Sequence, residues 1–368
     1  MLGTRPEAVK MAPVIKALQD HPQIESVVCV TAQHREMLDM VLNLFGITPD
    51  FDLDLMRENQ SLGEMTAGIF SHLDAIYRQV QPDWVLVQGD TTTVAAAALL
   101  AYYHRIRVGH VEAGLRTGDK WQPFPEEINR KVAGVVADLH FAPTEHSRQN
   151  LLLEGIPEAH IIVTGNTVID ALKQIRSLPA PEEVTRFLEK HEIASAKKRL
   201  ILVTAHRREN FGQPLENICD ALRELAIRFR REIVIVYPVH LNPQVQDTVK
   251  RMLKDVEGVV LLPPLPYINL VHLMMHAALV LTDSGGIQEE ATALKVPTLV
   301  LRQVTERPEG IEAGVLKLVG TDSRRIIDET SLLLCNPWVY DRMKNAPNPF
   351  GDGQAAERIV KAILDYRE

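Results

Sequence analysis

Leu279-Val-Leu-Thr-Asp-Ser-Gly-Gly-Ile-Gln-Glu-Glu290 passes from an aliphatic run through a small polar turn into a segment with helical character. The run Leu279 to Thr282 reads as a strand, and the spacing predicts a helix beginning near Ile287. Two glycines and a serine lie between them, where backbone N–H groups can point at an anion such as a diphosphate. Glu289 or Glu290 can then turn back toward a ribose diol. The same residues also suit a tight turn followed by two surface glutamates that the helix dipole favours.

Outward from this segment the strand-loop-helix pattern recurs. Aliphatic runs lie at Val27 to Thr31, Trp84 to Gln88, Ile106 to Val111, Leu139 to Ala142 and Ile161 to Thr164. A second series lies at Leu200 to Thr204, Ile233 to Val236, Val259 to Leu262, Leu279 to Thr282, Thr298 to Leu301 and Leu316 to Val319. Amphipathic stretches separate them, as βαβ units of a parallel sheet require. The proline-rich Leu178-Pro-Ala-Pro-Glu-Glu and the charged stretch after it divide the two series. The expectation is an α/β protein of two Rossmann-like halves, residues 1–178 and 179–353, with a final helix over 354–368. Met1-Leu2 leads at once into Gly3-Thr-Arg-Pro-Glu, a loop that belongs after a strand, so the first strand looks cut short.

With 368 residues the chain favours two domains over a single small binding module. Hydrophobic residues make up 46% and charged residues 24%, which excludes global disorder. A formal net charge of -8 leaves no basic field for nucleic acid, so an anionic ligand must be held locally. Three scattered cysteines, Cys29, Cys219 and Cys335, give neither a disulfide framework nor a zinc pattern and fit a reducing cytoplasm. The sequence has neither an 18-residue apolar run nor a signal region, so no membrane partner is expected.

Open α/β sheets bind ligands beyond the carboxyl ends of their strands, and the residues there are polar. Asp90 and Glu112 follow neighbouring strands, and Glu126 lies in Trp121-Gln-Pro-Phe-Pro-Glu-Glu. These are the candidate acids and bases; crowding in one cleft should raise the pKa of at least one of them. Each alone also suits a loop cap or a surface ion pair. Gly3-Thr-Arg-Pro-Glu-Ala-Val-Lys offers Arg5 and Lys10 to a phosphate or carboxylate, or is an ordinary helix start. His206, with Arg207 and Arg208, can meet a departing phosphate or form a solvated charge run. His110 and His140 sit in apolar strands and read as structural. No metal-binding motif, P-loop or complete G-x-G-x-x-G is present, so neither a metal nor a nicotinamide cofactor is expected.

Taken in order, Gly3-Thr-Arg-Pro-Glu-Ala, Thr31-Ala-Gln-His-Arg-Glu-Met-Leu, Gly89-Asp-Thr-Thr-Thr, Val108-Gly-His-Val-Glu-Ala-Gly-Leu-Arg-Thr, Pro125-Glu-Glu-Ile-Asn-Arg, Thr164-Gly-Asn-Thr-Val-Ile-Asp-Ala, His206-Arg-Arg-Glu-Asn-Phe-Gly, Tyr237-Pro-Val-His-Leu-Asn-Pro, Thr282-Asp-Ser-Gly-Gly-Ile-Gln-Glu-Glu and Asn348-Pro-Phe-Gly-Asp-Gly-Gln-Ala resemble signatures of the non-hydrolysing UDP-N-acetylglucosamine 2-epimerases. They span nearly the whole chain. The resemblance implies a glycosyltransferase-B-like fold of two Rossmann-like domains facing a central cleft, with the last helix returning to the first domain. It implies Asp90, Glu112, Glu126 and His206 as catalytic, and Arg5, Lys10, Arg130, Ser284, Gly285, Gly286 and Glu290 as binding UDP and sugar. It further implies a second UDP-GlcNAc as activator at Gln33, His34, Gln60, Arg207 and His240, although Asn59 stands where family members often carry arginine. The implied partners are UDP-GlcNAc, UDP-ManNAc and a second copy of the chain, in the cytoplasm, serving surface polysaccharide synthesis.

The chemistry also follows from the substrate. C2 of a nucleotide sugar has no adjacent carbonyl, so simple deprotonation gives a poor carbanion. Elimination of UDP to 2-acetamidoglucal and re-addition avoids that intermediate and needs a base, an acid and a cradle for UDP. The rival expectations are a hydrolysing epimerase releasing UDP and ManNAc, a glycosyltransferase needing an acceptor, and a non-catalytic sugar-nucleotide sensor.

Overall fold

In the computed structural model, which describes residues 1–31, 35–55 and 60–367, every aliphatic run named above contributes a strand. They are β1 (Cys29–Val30), β3 (Trp84–Gln88), β4 (Arg107–Val111), β5 (Leu139–Ala142), β6 (Ile161–Val163), β7 (Arg199–Thr204), β8 (Ile233–Pro238), β9 (Val259–Leu262), β10 (Ala277–Thr282), β11 (Thr298–Val300) and β12 (Leu316–Leu318). The sequence reading missed β2 (Phe51–Asp52), which pairs with β1 in parallel. The chain divides into two compact units, Met1–Lys173 with Phe350–Glu368, and Gln174–Pro349.

In the second unit all six strands are parallel, in the order β12-β11-β10-β7-β8-β9. Counted within the unit this is 6-5-4-1-2-3, the doubly wound order, with its switch point between β7 and β10. The near-continuous apolar character of β7 has a direct cause: both faces are covered. Ile201 and Val203 pack with Leu215, Ile218 and Leu222 of the helix Gln213–Arg228. The alternate residues Leu200 and Leu202 belong to a separate cluster with Val184, Leu188 and Ala291.

The first unit repeats the plan. Strands β3-β4-β5-β6 form a parallel sheet. Leu2 bridges Val30 in parallel, and the Met1 amino group donates to Leu86 O at 3.0 Å. The first residues therefore connect the β1–β2 pair to β3, and the order becomes β2-β1-Leu2-β3-β4-β5-β6. Its switch point lies between Leu2 and β3. The alanine-rich helix Thr92–Tyr103 buries Ala96, Ala97, Ala98 and Ala101. Its small side chains let it pack closely against the helices Leu62–Val80 and Glu126–Val136. The last helix, Ala355–Asp365, packs on Arg5–Gln19, and the Asp170 carboxylate accepts from Ala356 N at 2.9 Å.

Candidate functional site

Loops at a topological switch point diverge to opposite sheet faces and leave a crevice beyond the strand ends. In the first unit those loops carry Gly3-Thr-Arg and Gly89-Asp-Thr. In the second they carry His206-Arg-Arg and Asp283-Ser-Gly. Arg5, Asp90, His206, Arg207, Ser284 and Gly285 therefore stand where sheet topology places ligands.

In the first unit, Glu112 follows β4 directly and is 7% exposed. Its backbone φ is +64°, a left-handed conformation that costs a non-glycine residue about 1 kcal/mol or more and is concentrated at functional sites. Its carboxylate pairs with Lys10, itself nearly buried, and accepts from Gln88 Nε2 at 2.5 Å. Lys10 reaches it from the helix Arg5–Gln19, capped by the Thr4 side chain, with Pro6 in its first turn. Asp90 accepts from Arg130 Nη2 at 2.6 Å and Nε at 3.0 Å, while its backbone oxygen accepts from Asn129 Nδ2 at 2.9 Å. Arg130 also meets the fully buried Glu127 at 3.2 Å, and Glu127 accepts from Thr117 N and Gly118 N. Glu126 opens this same helix, Glu126–Val136, and is half-buried.

Asp90 and Glu112 each face a nearly buried cation. Burial pushes the Glu7 and Asp170 carboxyls upward; Glu7, 2% exposed, accepts from Gly3 N at 3.0 Å and Thr91 Oγ1 at 2.8 Å. Arg5 is the first residue of its helix and half-buried. His110 is a core residue bonded through Nε2 to Gly89 O at 2.8 Å, and burial pulls its pKa down to about 4. His140, its neighbour across β4 and β5, is likewise buried and pulled down to about 3.

In the second unit, the helix after β10 is Gly285–Ala293, beginning two residues before the expected Ile287. Ser284 stands at its N-cap, and its side chain makes no capping hydrogen bond. A Cβ on Gly285 would lie 2.8 Å from Arg307 Nη1 and 2.9 Å from its Cζ, so only glycine lets the buried guanidinium sit against the helix start. Arg307 pairs with Glu289 and Glu306, each at 2.8 Å. Glu289 is thereby committed to an ion pair, whereas the buried Glu290 meets Tyr267 OH at 3.4 Å. The turn with two surface glutamates is excluded: both are buried.

Asp283, fully buried, accepts through Oδ2 from His206 N (2.8 Å), Arg207 N (2.8 Å) and Asn210 Nδ2 (3.0 Å). Its Oδ1 lies 3.7 Å from His206 Nδ1. The His206 and His240 rings stack with centroids 5.1 Å apart and planes at 10°. Arg207 is half-buried beside His206. Gln60 is half-buried in the first unit, ahead of the Ser61 cap. Gln33 and His34 lie outside the described residues, as does Asn59. Among the described residues no group of three or more His, Cys, Asp or Glu is arranged to hold a metal ion. No described helix is long and apolar enough to cross a membrane.

Glu7, Glu127, Asp283 and Arg307 were quoted or passed over in sequence without a role. Their signal is burial of a charge, which composition does not show. Glu127 in Pro125-Glu-Glu is the one that local sequence offered.

A family model for UDP-N-acetylglucosamine 2-epimerase matches residues 16–364. A Salmonella typhimurium protein named UDP-N-acetylglucosamine 2-epimerase is 55% identical over 369 residues, covering 100% of this chain and 98% of the relative. One of the same name from Escherichia coli K12 is 52% identical with the same coverage. Among solved structures, UDP-GlcNAc 2-epimerase from Neisseria meningitidis bound to UDP-GlcNAc aligns at TM-score 0.91 and 48% identity, over 99% of this chain and 98% of that one. The Methanocaldococcus jannaschii enzyme in complex with UDP-GlcNAc and UDP aligns at 0.83 and 35%, with the same coverage. The fold class is α/β and glycosyltransferase-B-like, with two Rossmann-like units.

Proposed function

This chain belongs to the UDP-N-acetylglucosamine 2-epimerase family, and from that membership we propose that it interconverts UDP-GlcNAc and UDP-ManNAc without hydrolysis. The proposed reaction is elimination followed by re-addition. A base takes the C2 proton, the C2–H electron pair forms the C1=C2 bond of 2-acetamidoglucal, and the C1–O pair leaves with UDP. UDP then re-adds at C1 while C2 is protonated on its other face.

The observation that carries this reading lies at the carboxyl ends of β3 and β4 in the first unit. There Asp90 and Glu112 follow adjacent strands, each held by a nearly buried cation from a different helix. Two carboxylates positioned independently suit a reaction that removes a proton and returns one. Glu126 is assigned to the same acid/base group. The second unit supplies the anion cradle: Ser284, Gly285 and Gly286 at a helix start, with Glu290 for the ribose and His206 for the departing diphosphate. Arg5, Lys10 and Arg130 contribute positive charge in the first unit.

The reading extends to a homodimer in the cytoplasm that serves bacterial surface polysaccharide synthesis. A second UDP-GlcNAc is assigned to Gln33, His34, Gln60, Arg207 and His240 as activator; the stacking of His240 on His206 supports a link between that site and catalysis.

The test is a proton NMR time course with UDP-GlcNAc as sole substrate. The proposal expects UDP-ManNAc to accumulate to a stable ratio with its nucleotide attached. Stoichiometric UDP and free ManNAc would make it a hydrolysing enzyme; no change without an acceptor would point to a transferase, or to a sensor if none restores turnover.

A further inference from the structure

At the switch point of each unit a buried carboxyl group ties together the two loops that diverge there. In the first unit Glu7 accepts from Gly3 N, in the loop after the Leu2 segment, and from Thr91 Oγ1, in the loop after β3. These loops carry Arg5 and Asp90. In the second unit Asp283, in the loop after β10, accepts from His206 N and Arg207 N in the loop after β7, and from Asn210 Nδ2. The two carboxylates are 2% and 0% exposed, so neither is placed to be a solvated cap.

We propose that Glu7 and Asp283 are positioning residues for the epimerisation, equivalent struts that hold Asp90 and His206 in reacting geometry. This rests on the roles given above to Asp90 and His206.

A buried carboxyl group is costly to retain unless donors meet its oxygens. Here the donors are backbone N–H groups and side chains of the loops themselves, so the bonds fix loop position. The Thr91 hydroxyl also accepts from Val94 N at 3.3 Å, starting the helix Thr92–Tyr103, so Glu7 sets the place of the helix that follows Asp90. Gly3 is pressed into the same corner: a Cβ there would lie 2.5 Å from Thr93 Oγ1 and 2.9 Å from Thr31 Oγ1. Asn210 Nδ2 also donates to Leu301 O at 3.1 Å, so Asn210, which Asp283 holds, joins the His206 loop to the end of β11. A displacement of about 1 Å in a reacting group can cost about 100-fold in rate.

The experiment compares wild type, Glu7→Ala, Glu7→Gln, Asp283→Ala and Asp283→Asn as full chains, with circular dichroism for folding and NMR-monitored epimerisation for kcat and KM. An amide oxygen can accept where the carboxylate did. The expected result is that both alanine variants, folded, lose kcat by about 50-fold or more with KM within about threefold. The amide variants recover to within about fivefold of wild type. Folded alanine variants with kcat within threefold of wild type, or amide variants as poor as alanine, overturn the proposal. Should the alanine variants not fold, Asn210→Ala decides: kcat down at least about fivefold with KM held supports the proposal, and an unchanged kcat overturns it. Wild type without epimerase activity would instead overturn the functional reading.

Discussion

Replacing Arg130 by methionine removes the guanidinium that joins Asp90 to Glu127 and keeps most of the side-chain volume. Arg130 is 4% exposed and Glu127 fully buried, while the Asp90 side chain retains 29% exposure. Deleting one partner of a buried pair costs about 3–5 kcal/mol, because a charge is left without compensation. Two terms reduce that here: Glu127 keeps the N–H groups of Thr117 and Gly118, each at 3.2 Å, and Asp90 keeps access to water. We therefore expect Arg130→Met to lower stability by about 2–3 kcal/mol in urea titration with an unchanged m-value. Adding Glu127→Gln removes the stranded charge, so the double variant should recover about 1–2 kcal/mol of that loss. Because Asp90 loses its anchor, kcat should fall about 100-fold. A loss under about 0.5 kcal/mol, or no coupling to Glu127, would refute the claim that this arginine organises the acid/base loop.

Asp90→Asn and Glu112→Gln should each lower kcat by about 100-fold or more while UDP affinity, measured by calorimetry, stays within about threefold. Gly285→Ala should weaken UDP binding by about tenfold, or about 1.4 kcal/mol, since its Cβ would meet the Arg307 guanidinium at 2.8 Å; equal affinity would dismiss the cradle. Burial holds the folded His110 near pKa 4, below the unfolded value of about 6.5, so the unfolded state binds the extra proton first. Its share of stability is thus present above about pH 6.5 and lost as pH falls toward 4, up to about 3 kcal/mol. His110→Gln, with an amide to donate to Gly89 O, should flatten that part of the stability-pH curve; an unaltered slope would show that other groups set it.

The sheet skeleton was legible because both faces of central strands such as β5, β7 and β8 are covered, which makes those runs almost uniformly apolar and easy to see. Phe51–Asp52 escaped because two residues, one half-buried and one exposed, leave no period to read. The helix start at Gly285 was placed two residues late because glycine is a poor helix former, and close packing against Arg307 overrides that propensity. Candidate residues after strand ends were legible for the same reason as the strands. Their partners were not: Arg307 takes Glu289 from 18 residues away, Arg130 takes Asp90 from 40, and Asp283 holds His206 from 77. Such pairings depend on tertiary proximity, which local spacing does not encode.

The central claim is that C2 inverts by loss and return of a proton while the C1–O bond to UDP opens and closes. Turnover of UDP-GlcNAc in D2O, followed by NMR and mass spectrometry, tests it directly. The account predicts UDP-ManNAc with one deuterium at C2 and the nucleotide still attached; UDP-ManNAc formed with hydrogen retained at C2 throughout would contradict it.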